Sequence, residues 1–266
     1  MRRAPALFCL AGLAAATAAA GCGASATVDR VLPGAGVRIV RVENFAGDVS
    51  IESWNDGSAV RLRADVLGPD AAAVAAVRTD LTRAGEVVNA LLTPPPGVAG
   101  LRAEVLLNVP PGVTLQVVNR GGPVYVLGSF SGLMVRNAGG LVRAYGANGP
   151  VDVENVSGSI SIEGAIPFFH VKTDVGRVRI ASDLEGALTG DSTATVERGR
   201  LGVTLPASGH ATVEASTKLG RLVTNCGIAV EEIGDGGRMV GTVGGGGPSL
   251  TLRIAAGTVG VWRGVL

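Results

Sequence analysis

Apolar and polar residues alternate with a period of two through much of the chain, and between residues 117 and 188 the alternation recurs every 18 residues. Aligned, the units read VVNRGGPVYVLGSFSGLM, VRNAGGLVRAYGANGPVD, VENVSGSISIEGAIPFFH and VKTDVGRVRIASDLEGAL. Each unit holds two short alternating runs. One places Val124/Val126, Val142/Ala144, Ile160/Ile162 and Val178/Ile180 on its apolar side. The other places Leu133/Val135, Val151/Val153 and Phe169/Val171 there, with Val117 opening the first unit and Ala187 closing the last. The alternate positions are mostly polar, among them Arg136, Arg143, Asp152, Glu154, Ser161, His170, Lys172 and Arg179. A helical period does not produce that split. A short fixed period also implies stacking, because one such unit cannot bury its own apolar face. The pattern predicts an all-β, parallel β-solenoid (β-helix) of about 18 residues per coil. Parallel crossovers favour the right hand, so a right-handed one is expected.

Gly122, Gly140, Gly158 and Gly176 share one phase, as expected for a tight turn before the second strand of each coil. Asn119, Asn137 and Asn155 share another, which predicts a structural ladder of stacked amides at a corner rather than a polar binding row. The same kernel stands upstream at Val42, Asn44, Gly47, Val49 and Ile51. Between the two, Gly68-Pro69-Asp70 opens one short helix over 70–78, with Val74 and Val77 at helical spacing. A hairpin over 80–92 turns at Ala84-Gly85. Beyond 188 the period loosens, a loop is expected over 234–248, and Leu250, Leu252, Ile254, Val259 and Val261 form a terminal coil. The expected organisation is therefore a leader over 1–22, a tether over 23–36 and one solenoid domain over 37–266. That domain has a less regular part over 37–116, regular coils over 117–188 and irregular coils over 189–266.

The leader changes the expected location. Arg2 and Arg3 precede an apolar stretch from Ala4 to Ala20, and Ala19-Ala20-Gly21-Cys22 follows. This resembles a bacterial lipoprotein signal with Cys22 as the lipidated residue, although Ala19 stands where leucine is usual. Ordinary secretion, with cleavage after Ala20 or Ala26, is the alternative. Either way an exported protein is expected, a membrane-anchored lipoprotein of the cell envelope in the first case and a secreted protein in the second. Cys9 lies in the leader, so Cys226 is left without a disulfide partner in the chain. With the leader's two arginines removed, 21 basic residues face 22 acidic ones, which gives no electrostatic case for nucleic acid. The 41 glycines, about twice the usual share of roughly 7%, fit turns at every corner.

Chemistry is sparse. His170 and His210 are the only histidines and read as solvated surface and turn residues. No metal-ligand spacing or cofactor motif is present, and the glycines at 244–247 lack the Lys-Ser/Thr of a phosphate loop. Asp152 and Glu154 share an outward strand face about 7 Å apart, within the broad range for two-carboxylate hydrolysis, but equally suit a salt-bridged ladder. The aromatic platform typical of a sugar site is not evident, and Trp54 reads as packed beneath the helix. One apolar strip stands out at outward positions: Val118, Pro123, Tyr125, Met134 and Leu141. It is either capped by the helix and hairpin or forms a partner-binding or self-association face.

The order of these parts resembles the bacterial putative-adhesin, DUF4097-type β-strand repeat family. The matching segments are VENFAGDVSIESWNDGSAVRLRA, LLNVPPGVTLQVVNRGGPVYV, the Val-x-Asn-x-x-Gly units and SLTLRIAAGTVGVW, together spanning about 37–266. The resemblance implies a β-solenoid, export to the cell envelope and no general catalytic residue. The expected function is thus a non-catalytic, adhesin-like or structural envelope protein whose partner is an envelope protein or polysaccharide. The alternatives are an accessory or sensory lipoprotein of envelope stress and, more distantly, a carbohydrate-active β-helix enzyme.

Overall fold

The computed structural model describes residues 23–53, 58–183 and 188–264. Cys9, Cys22, Trp54 and Ala187, named above, lie outside the described residues, as does the leader. The chain forms β1 (Ala24–Pro33), β2 (Ile39–Asn44), β3 (Val49–Ser53), β4 (Ala59–Gly68), α1 (Ala71–Ala75), β5 (Arg78–Ala84), β6 (Val87–Thr93) and β7 (Arg102–Val109). The repeats follow as β8 (Thr114–Asn119), β9 (Val124–Phe130), β10 (Gly132–Asn137), β11 (Val142–Ala147), β12 (Val151–Ser157), β13 (Ile160–Gly164) and β14 (Phe169–Ser182). The last strands are β15 (Ser192–Leu205), β16 (Ala211–Thr224), β17 (Val230–Ile233), β18 (Gly236–Val243) and β19 (Ser249–Arg263).

Among the described residues all strands belong to one 19-stranded sheet folded, barrel-like, around a single apolar core. The strands run both ways. β1 with β4, β4 with β7, β5 with β6, β16 with β18 and β17 with β18 pair antiparallel, and the other pairings are parallel. The expectation of a parallel β-solenoid is therefore corrected to an all-β fold built on one mixed sheet, and the predicted hand falls with it. The physical reason lies outside the repeats, where β5–β6 and β17–β18 are hairpins and β4 and β18 run back against the non-adjacent strands β1, β7 and β16. Within the repeats the 18-residue period is the register of the ladder, with Leu133 beside Val151 and Val142 beside Ile160.

Two ladders enclose the core. The first runs β5-β6-β2-β8-β10-β12 and the second β1-β4-β7-β3-β9-β11-β13. They merge in β14, β15, β19 and β16, which are long enough to belong to both. Alternation puts Val135, Val153, Ile162 and Ile180 in the core without solvent contact.

The asparagine phase explains where the ladders separate. Asn44 donates to the carbonyls of Ala46 and Ala103 at 3.1 Å each, Asn119 to those of Gly47 and Gly122, and Asn137 to that of Gly139 at 2.9 Å. Asn137 also donates to Asn155 Oδ1 at 3.1 Å. These buried amides satisfy carbonyls that a tight corner removes from the sheet. Where Thr173 replaces asparagine, the amide is lost and β14 runs through the corner unbroken. The backbone reports the change, with φ of +104° at Gly140 behind Asn137 and +153° at Gly176 behind Thr173.

Four further expectations are corrected. Residues 23–36 are no tether, because β1 pairs with β4 from Ala24 to Pro33. The expected loop over 234–248 contains β18, which folds back on β16. The terminal coil is not terminal in space, since β19 lies between β15 and β16 and pairs in parallel with both. The helix is shorter than 70–78. It is capped by Asp70, whose carboxylate accepts from the Ala73 N–H at 2.8 Å, and it ends before β5 begins.

Candidate functional site: a tryptophan and arginine groove

The expected apolar strip does not form one surface. Val118 and Met134 lie on the outward face of the first ladder, while Tyr125 lies on that of the second, with the half-buried Pro123 and Leu141 at the corner before it. The capping expectation is corrected as well. Val118, Tyr125 and Met134 are 39%, 37% and 39% exposed, and α1 packs against β1 and β4 instead. Val74 is buried there, next to Gly68.

The paired carboxylates sit on the first ladder under one guanidinium. Arg136 holds Asp152 through two hydrogen bonds of 3.0 and 2.9 Å and reaches Glu154 at 3.3 Å. The hydrogen bond to Asp152 raises the Arg136 pKa above its ordinary value; burial acts against that, and the charges of Asp152 and Glu154 add to it. This is a bidentate, charge-compensated ladder. His170 shares a hydrogen bond of 2.9 Å with Thr193, and Cys226 is a half-buried free thiol. Among the described residues no cluster of histidine, cysteine, aspartate or glutamate is suited to hold a metal ion.

A concavity of about 580 Å³ lies on the outward face of the second ladder over β14, β15 and β19. Its floor follows from the register. Arg179, Gly202 and Gly260 stand side by side, as do Arg177, Arg200 and Thr258 one step earlier. With no side chain at Gly202 or Gly260, the Trp262 indole lies across both. A Cβ on Gly202 would approach the ring within 2.9 Å, and one on Gly260 would overlap it. Packing an aromatic over strand glycines fixes its orientation. The outer face stays in solvent, with Trp262 37% exposed. Arg177, Arg179, Arg200 and Arg263 surround it, and no acidic side chain lines the groove. Arg179 is neutralised by Glu163 at 3.2 Å; the other three make no ion pair among the described residues.

Sequence reasoning missed this site, although its signal is present. Gly202, Gly260 and Trp262 all occupy outward phases in strands whose inward residues are Leu201, Val203, Val259 and Val261. The register that unites them depends on the insertion of β19, which alternation alone does not show.

No family model matches the chain, and no curated protein matches it. Among solved structures it is similar to a "putative cell adhesion protein" from Clostridium sporogenes, at 13% identity and a TM-score of 0.38, over 89% of this chain and 98% of that one. A "putative adhesin" from Bacteroides fragilis is 9% identical with a TM-score of 0.31, over 89% and 96% of the two chains. A "putative lipid binding protein" from Parabacteroides distasonis is 10% identical with a TM-score of 0.32, over 91% and 97%. Likeness of this degree assigns no function. The groove has to be argued from its own chemistry.

Proposed function

We propose that this chain is a non-catalytic, adhesin-like protein of the bacterial cell envelope that works by binding through the outward face of its second ladder. On its repeat motifs we also propose kinship with the DUF4097-type family. The observation that carries the reading is the groove itself. It combines a fixed, solvent-facing indole with guanidinium groups that lack carboxylate partners, a composition suited to recognition. Its lining residues include no carboxylate, cysteine or histidine, and its hydroxyls, Thr204 and Thr258, have no such base beside them in the groove. Asp152 and Glu154, the best catalytic pair in the sequence, are compensated by Arg136 on the first ladder.

The position of the N-terminus supports an orientation. From β1 the second ladder passes through β4, β7, β3, β9, β11, β13, β14 and β15 to β19. At strand spacings of about 4.8 Å that path is roughly 43 Å. A lipid on Cys22, two residues before β1, would hold one end of the sheet at the membrane and present the groove far along it. The test is co-sedimentation of the purified protein with isolated cell envelopes, together with an assay for released sugar reducing ends. Binding without sugar release, weakened by Arg177→Gln with Arg200→Gln, is expected. Release of reducing ends that Asp152→Asn abolishes would replace this reading with the enzymatic one.

A further inference from the structure

The groove's chemistry goes further than binding in general. Arg177 and Arg200 are direct neighbours across β14 and β15, and Arg221 stands one strand beyond Thr258 in the same row. Like charges placed opposite each other destabilise a sheet. Here neither Arg177 nor Arg200 has a carboxylate to offset the repulsion among the described residues. An anion seated between them would do so, and a guanidinium fork matches a carboxylate in two-point contact. Beside this pair lies the indole face, flat and held by its glycine floor. The apolar face of a pyranose ring is a natural cover for such a surface. The interior below is filled by Val178, Leu201, Val203 and Val259, all buried.

The same outward face continues the theme toward β9. Tyr125, Arg143 and Arg179 share one row, and Tyr145 follows two residues after Arg143, whose guanidinium lies 5.9 Å from the Tyr145 ring centre. From β9 to β19 this face spans five strand spacings, about 24 Å. Its acidic member between β9 and β19 is Glu163, which is occupied by Arg179; Glu52 stands one strand beyond β9, on β3.

We infer that the Trp262 groove binds an acidic polysaccharide, with a sugar ring stacked on the indole and its carboxylate held by Arg177 and Arg200. The inference rests on the proposed function and names the ligand class of that site. Continuity of aromatic and arginine side chains toward Tyr125 favours an extended chain over a single small anion.

The test uses the full chain carrying Trp54→Phe, which leaves Trp262 as the single indole. The probes are polygalacturonate, its fully methyl-esterified form, poly-L-glutamate, single-stranded poly(dT) and phosphatidylglycerol vesicles. The esterified polymer keeps the rings without the charge, and poly-L-glutamate keeps the charge without the rings. Polygalacturonate is expected to change Trp262 emission and to bind at least tenfold tighter than every other probe. Arg177→Gln with Arg200→Gln should weaken that binding at least tenfold without lowering the melting temperature, since the substitutions also relieve the like-charge contact. Equal or tighter binding of any other probe, or indifference to the arginine pair, overturns the inference. If it fails while the protein still pellets with envelopes, the ligand assignment falls and the binding function stands. If both fail, the function falls too.

Discussion

Gly140→Ala tests how the corners hold the two ladders together. Gly140 has φ +104°, where an L side chain is disfavoured by about 1–2 kcal/mol. A Cβ there would stand 2.7 Å from the carbonyl carbon and oxygen of Gly122 and 3.0 Å from the nitrogen of Pro123. All three are backbone atoms of the neighbouring corner, so no rotamer change relieves the contact. Shifting a packed backbone adds about 1–3 kcal/mol. The combined cost is about 2–5 kcal/mol, or a fall of about 4–20 °C in melting temperature for a chain of this size. The adjacent Gly139→Ala is the control. Its Cβ would come close to the Ser157 hydroxyl, at 3.1 Å, which can rotate, and to the Ser157 carbonyl oxygen only at an ordinary 3.8 Å, and Gly139 has no positive φ. A change within about 0.5 kcal/mol, or about 2 °C, is expected there. Circular dichroism melts of the two variants beside the parent decide the matter. Equal losses, or a neutral Gly140→Ala, would refute the stacked-corner argument.

Three further outcomes are expected, two from the geometry and one from the leader. Ile162→Asp should unfold the protein, because it places a charge in a fully buried position worth about 1.5–3 kcal/mol of apolar burial, whereas Ser161→Asp, facing outward, should melt within a few degrees of the parent. Truncation after Pro248 removes β19 and leaves β15 and β16 without their shared partner; light scattering should show aggregation, and a monomeric product with the parental melt would contradict the inserted position. Cys22→Ala should move the protein from the membrane fraction to soluble or uncleaved forms if Cys22 carries lipid, and unchanged fractionation would favour ordinary secretion.

What the sequence made legible was whatever a local period encodes. The 18-residue offset gave the register of Leu133 on Val151, and the shared phase of Asn119, Asn137 and Asn155 gave the amide column. Strand direction outside the repeats was not local information. β1 reads as a tether because its first inward residues, Ala24 and Ala26, are small and Arg30 interrupts the apolar phase between Val28 and Leu32; pairing with β4 makes it a strand. Leu250, Leu252 and Ile254 alternate as well at the end of a stack as between β15 and β16. Only the core behind them selects the inserted position. The groove depends on that insertion, since it brings Gly260 and Trp262 beside Gly202. Its parts were visible singly, and their meeting was not.

The most direct test of the central claim, that partners are met on the outward face of the second ladder, is face-resolved photocrosslinking on intact cells. One variant carries a photoreactive residue in place of Thr258, at the groove, and another in place of Thr195, on the outward face of the first ladder. The account predicts partner adducts from position 258 that disappear with Arg177→Gln and Arg200→Gln, and none from position 195. Adducts from position 195 alone would contradict it.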